Sequence, residues 1–174
     1  AAVSKYGHNS SMITKVGKDG FGDYLIAVLK KAGVNIDKVF QTTEAPTGLA
    51  FVSLKENGER DFAFYRKPSA DLLLQADEIK EDWFAKGDLL HFCSVDLVES
   101  PMKYAHVKAI ELVKKAGGVV SFDPNIRLPL WEDEKECQST VREFMPKADI
   151  VKISDEELAF ITGITNEKQA LQSL

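Results

Sequence analysis

Two periods of hydrophobic and polar residues organise this chain. Residues 11–16, Ser-Met-Ile-Thr-Lys-Val, have the texture of a strand, and Gly17-Lys18-Asp19-Gly20 leads from it into apolar positions Phe21, Leu25, Val28, Leu29 and Ala32. That spacing places the apolar side chains on one stripe of a helix, predicted to face a core and to be closed by Gly33. Between 38 and 66 the texture changes. Residues 38–43, 47–54 and 60–65 read as short strands, and Asn57-Gly58 between the last two is a strong hairpin signal.

From Asp88 onward the order is strand, helix, strand, helix, strand, helix. Strands are predicted at 88–93, 119–123 and 149–153, each apolar along its length, as strands buried on both faces are. A helix with Met102, Ala105, His106, Ala109, Leu112, Val113 and Ala116 on one side stops at Gly117-Gly118. Ser154 and Glu157 form the Ser-x-x-Glu capping-box pattern ahead of Leu158, Phe160 and Ile161, and Gly163 ends that helix. The implied architecture is α/β: a mostly parallel sheet layered between helices, with strands of 38–66 as a small second layer. Ala1 to Gly7 reads as the end of a helix closed by glycine, so the natural start is expected upstream. A last helix starting near Thr165-Asn166-Glu167 runs into Leu174.

Composition narrows the function classes. The 174 residues are 44% hydrophobic and 28% charged with a net charge of -5, an ordinary globular balance. With no run of Lys and Arg, a nucleic-acid surface is not expected. No apolar run reaches membrane-spanning length, so no membrane partner is expected either. Cys93 and Cys137 lie far apart and outside any CxxC pattern, which fits a reducing cytoplasm. His8, His91 and His106 lack metal-ligand spacing, and His91 is expected as a core residue of its strand. Walker-type, GxSxG and HExxH motifs are absent from the sequence.

Three loops that follow strands hold candidate chemistry, because ligands of open parallel sheets bind beyond the carboxyl ends of the strands. Asp123-Pro124-Asn125-Ile126-Arg127 gathers a carboxylate, a rigid proline, an amide and a guanidinium. It reads equally as a loop aiming polar groups at sugar hydroxyls or phosphate and as a turn whose side chains cap themselves. Phe62, Phe64 and Arg66 fall on one face of a strand, either an aromatic wall with a cation or core aromatics beside a solvated Arg. Lys152-Ile153-Ser154-Asp155-Glu156-Glu157 puts three carboxylates at a helix N-terminus, where they also serve the helix dipole without any catalytic duty.

Taken in order, these segments resemble the ribokinase-like (phosphofructokinase-B) carbohydrate kinases, and the fructokinases most. The resemblance rests on Lys15-Val16-Gly17-Lys18-Asp19-Gly20-Phe21-Gly22, Pro46-Thr47-Gly48-Leu49-Ala50 and Phe64-Tyr65-Arg66-Lys67-Pro68-Ser69-Ala70. It continues through Asp123 to Trp131, with its Leu128-Pro129-Leu130-Trp131 run, and Lys152 to Glu157. It implies residues 1–37 as the first part of an α/β domain, 38–66 as a small β-sheet lid over the sugar, and 67–174 as the continuation of the domain.

The resemblance further implies an ATP-dependent sugar kinase using ATP and Mg²⁺, with D-fructose converted to fructose 6-phosphate. Phe64 and Arg66 would reach the sugar from the lid, and Asn125 and Arg127 would line the sugar and transferred-phosphate side. Lys152, Ser154 and Glu157 would lie near ATP and Mg²⁺, Glu157 acting on the metal through water. Ser154 stands where the family's Asn-x-x-Glu motif has Asn. The catalytic Asp of the family's Gly-x-Gly-Asp motif is expected C-terminal to these residues, so the chain alone is expected to be inactive. The rivals are a kinase of 2-keto-3-deoxygluconate or another sugar in the same family, and a non-catalytic sugar- or protein-binding relative. The exposed lid edge implies a homodimer.

Overall fold

The computed structural model describes residues 1–56, 58 and 60–174, which form two units, Ala1–Leu74 and Gln75–Leu174. In the first, helix α1 (Ala2–Lys5) runs out before Gly7, whose φ of 85° is the left-handed ending expected there. Strand β1 (Thr14–Gly17) leads into helix α2 (Gly20–Lys31), and strand β2 (Val39–Thr42) returns parallel to β1, Thr14 facing Val39 and Gly17 facing Thr42. This corrects the sequence reading, which set residues 38–43 with the hairpin. A strand that returns through a helical crossover pairs in parallel with the strand that entered it. Strands β3 (Leu49–Leu54) and β4 (Arg60–Tyr65) pair antiparallel from Leu49–Tyr65 to Leu54–Arg60. Of the expected Asn57-Gly58 turn, Asn57 lies outside the described residues, and Gly58 takes a φ of 84°.

The stripe expected to bury α2 does not do so. Phe21, Leu25 and Val28 are 58%, 41% and 44% exposed. The β1–β2 sheet is two strands wide, too narrow an apolar face to cover a helix of this length.

In the second unit, β5 (Leu89–Cys93), β6 (Val119–Asp123) and β7 (Ile150–Val151) form a parallel sheet in that order. Crossover helices α3 (Pro101–Lys115) and α4 (Glu134–Phe144) join them, and α5 (Asp155–Thr162) and α6 (Glu167–Gln172) follow. Phe92 pairs with Phe122 in register and stacks on it at 4.8 Å, with the Phe144 ring of α4 6.1 Å from Phe92. Around these rings α3 buries Met102, Ala105, Ala109, Leu112 and Val113, as its periodicity predicts, and α4 buries Cys137, Val141 and Phe144. Gly118 is where β6 starts against β5: a Cβ there would lie 2.6 Å from the Asp88 carbonyl oxygen. His91, expected in the core, is exposed. It sits with exposed Leu89 on the other face of edge strand β5, its Nδ1 3.1 Å from Ser121 Oγ. No helix among the described residues is long and apolar enough to cross a membrane.

Candidate functional site

In the second unit the site is built at the carboxyl ends of β6 and β7. Pro124 is fully buried, and its carbonyl accepts hydrogen bonds from the Ser94 N–H (3.1 Å) and hydroxyl (2.5 Å), which tie the loop after β6 to the end of β5. The chain then turns through Asn125 with φ 44°, a left-handed conformation that Asn tolerates better than most residues. Ile126 N–H donates to Glu157 Oε1 at 2.8 Å, and Arg127 Nη1 donates to the Ile126 carbonyl at 2.8 Å.

The capping box read from the sequence is present. Glu157 N–H donates to Ser154 Oγ at 3.2 Å, and Ser154 N–H donates back to Glu157 Oε2 at 3.1 Å. Glu157 therefore has one oxygen on its own helix terminus and the other on the loop after β6. Each oxygen retains a lone pair for water. No group of three or more His, Cys, Asp or Glu side chains able to hold a metal occurs among the described residues. Lys152 is 68% exposed, with Nζ 3.3 Å from Asp123 Oδ2, which brings the third candidate loop onto the first.

In the first unit, the Phe62 and Phe64 rings stack 5.8 Å apart and 4° from parallel, confirming that they share a face. Arg66 is not the solvated cation of the alternative reading. It forms an ion pair with Asp71, the two side chains 13% and 20% exposed.

Sequence reasoning passed over Asp71 and also a knot around Asp19. The Asp19 carboxylate caps α2 by accepting the N–H groups of Phe21 (3.0 Å) and Gly22 (2.8 Å). It also accepts the Thr47 N–H and hydroxyl, both at 2.8 Å, while Thr47 Oγ1 accepts the Gly17 N–H at 2.9 Å. These bonds, led by that from Thr47 N–H, hold the Asp19 carboxyl below the usual carboxylate range. Both glycines are sterically required: a Cβ on Gly22 would lie 2.1 Å from the Gly17 carbonyl oxygen, and one on Gly17 would lie 2.5 Å from Thr47 N. Asp ahead of a helix is a readable cap signal, but its bond to a threonine 28 positions away is not.

Gly20-Phe21-Gly22-Asp23 happens to spell Gly-x-Gly-Asp, yet its helix N-terminus is not an anion hole. The N–H groups of Phe21 and Gly22 are already taken by a carboxylate, and Asp23 accepts from Gln41 Nε2 at 2.8 Å.

The profile of the pfkB family carbohydrate kinases matches residues 1–174. Among curated proteins, the chain is 44% identical to a probable fructokinase-4 of Arabidopsis thaliana over 93% of its own length and 50% of that protein. It is 43% identical to fructokinase-2 of Oryza sativa subsp. japonica over 99% of its length and 52% of that protein. It thus spans about half the length of these relatives. Among solved structures, the fructokinase of Vibrio cholerae O395 in its fructose-, ADP- and calcium-bound form superposes with a TM-score of 0.91 at 38% identity, covering 99% of this chain and 55% of that one. The ATP-bound fructokinase of Xylella fastidiosa gives 0.89 at 33% identity, covering 98% and 55%. The parallel βα order, the separate hairpin and the loops at the strand ends are thus those of a ribokinase-like fold, and the chain belongs to the pfkB family of carbohydrate kinases.

Proposed function

We propose that the protein carrying this chain is an ATP-dependent kinase that transfers the γ-phosphate to D-fructose, giving fructose 6-phosphate. The observation that carries the reading is the superposition of 99% of the chain on the Vibrio cholerae fructokinase solved with fructose and ADP. Phe64, half-buried beside Phe62, gives the sugar an apolar face, and Arg66 offers N–H donors to its hydroxyls. Asn125 and Arg127 serve the sugar and the phosphoryl group, a guanidinium being suited to oxygens that gain charge during transfer. The β3–β4 hairpin acts as the lid, which by excluding water directs phosphate to sugar and not to solvent.

Lys152, Ser154 and Glu157 lie on the nucleotide side. Mg²⁺, when bound with ATP, neutralises charge on the phosphates. Glu157 orients water toward the ion with the lone pairs that its two backbone bonds leave free, while Ser154 holds the helix end that aims it. The general base is an Asp of a Gly-x-Gly-Asp segment outside these 174 residues, so the isolated chain does not turn over. Cys93 and Cys137 lie far apart in the sequence and outside any CxxC pattern, which supports a cytoplasmic setting. β3 and β4 each leave an unpaired edge among the described residues, and Phe51 and Tyr65 are 59% and 66% exposed, which supports a homodimer through the lid.

ADP release by the intact protein, measured with fructose, 2-keto-3-deoxygluconate and other hexoses, tests the reading. Fructose is expected to give the highest kcat/KM. A rival sugar preferred by about a hundredfold overturns the assignment, and no ADP release with any sugar favours a non-catalytic relative.

A further inference from the structure

Arg66 follows β4 and meets Asp71, five positions on, in an ion pair whose side chains are only 13% and 20% exposed. The surrounding chain is shaped to this pair. A Cβ on Gly48 would come within 2.9 Å of Asp71 Oδ1 and 3.2 Å of Arg66 Cγ, so the residue there has to be small. Ser69, 1% exposed, closes the same spot, its Cβ 3.3 Å from that position. Asp71 Oδ1 is shielded from water and has no hydrogen-bond partner among the described residues. A half-buried carboxylate so placed is tolerable only with a cation against it, and Oδ2 provides that contact.

We infer that Asp71 is a specificity-determining residue: by pairing Arg66 it cancels the cation that the sugar meets, so that the site favours a neutral sugar over a sugar acid. The inference rests on the reading that Arg66 contacts the sugar. A paired guanidinium still has N–H donors for hydroxyl oxygens, which need no net charge. An anionic ligand is drawn by Arg66 and repelled by the Asp71 carboxylate beside it, and the two effects largely offset each other. Asp71 acts through Arg66, so it is a positioning residue and not a catalytic one.

The test uses the intact protein with D-fructose and 2-keto-3-deoxygluconate as paired substrates, and Asp71→Asn and Asp71→Glu as variants. Asp71→Asn keeps the shape and removes the charge, and is expected to raise the ratio of kcat/KM for the acid over that for fructose by at least about fivefold, mostly through the KM of the acid. Asp71→Glu is expected to restore the wild-type ratio. A smaller change in the ratio, with both substrates losing activity in parallel, overturns the inference and leaves Asp71 a structural support. If Asp71→Asn does not fold, competitive inhibition of the wild-type protein decides. A sugar acid binding as tightly as fructose overturns the inference, and one binding at least about fivefold more weakly supports it. Arg66→Ala separates the two levels of argument: an unchanged fructose KM removes the reading on which the inference rests, whereas a raised KM with an unchanged Asp71→Asn ratio removes the inference alone.

Discussion

Glu157 Oε1 accepts the Ile126 N–H at 2.8 Å across 31 positions of chain, so one carboxylate from α5 fixes the loop that carries Asn125 and Arg127. Glu157→Ala leaves the Ile126 and Ser154 N–H groups without their acceptor and is expected to cost about 1–3 kcal/mol of stability. Glu157→Gln keeps the volume but turns an NH2 toward one of the two donors, so an intermediate loss is expected. Chemical denaturation of the two variants checks the order, and in the intact protein the loss of kcat is expected to follow it.

His106 makes stability pH-dependent. Burial against Phe92, with ring centroids 5.3 Å apart, lowers its pKa, outweighing the hydrogen bond with the Met102 carbonyl and the charge of Asp96. A folded-state pKa below the ordinary value near 6.5 means that the unfolded chain binds the proton more readily. Stability is therefore full above about pH 6.5 and declines as pH falls toward the folded-state value. Thermal unfolding from pH 7 to pH 5 is expected to show this decline, and His106→Gln is expected to flatten it. Equal slopes for the two proteins would falsify the assignment.

The close approach between β1 and α2 sets a steric limit. Gly22→Ala places a methyl group 2.1 Å from the Gly17 carbonyl oxygen, a backbone atom that can give way only by moving the knot around Asp19. A loss of about 2–3 kcal/mol is expected, whereas Gly20→Ala, which meets nothing within 4 Å, is expected to be near neutral. Urea unfolding of both variants measures the contrast.

Cys137 is expected to be unreactive in the folded protein. Burial, aided by the nearby Glu136 and Glu134 charges, pushes its thiol up to about 12, leaving almost no thiolate at neutral pH. Titration with a thiol reagent should therefore register Cys137 only after denaturation. Rapid labelling at neutral pH in native buffer would overturn this.

What the sequence disclosed was local. The 3.6-residue period of α3, the capping box of Ser154 and Glu157 and the shared face of Phe62 and Phe64 involve residues a few positions apart, whose spacing is itself the geometry. What it withheld depends on tertiary placement. The bonds from Thr47 to Asp19 and from Ile126 to Glu157 join segments 28 and 31 positions apart, and neither partner carries a local mark of the other. Asp71 was hidden differently: only five positions from Arg66, it sits in the short 3-10 turn Ala70–Leu73, too brief for any period to predict which side chains meet. The exposure of His91 and of the α2 stripe followed from how much surface the neighbouring elements cover, which apolar spacing does not encode.

The hairpin of β3 and β4 is moored at both roots. Thr47, two residues before β3, is bonded to Asp19, and Arg66, directly after β4, is bonded to Asp71. Between these moorings the two strands are bonded to each other along their length. Both roots of the ribbon are thus tied to chain outside it, independently of the ladder that joins its strands. In the lid role proposed above, an anchored root such as Arg66 would keep its place while the strands beyond it move.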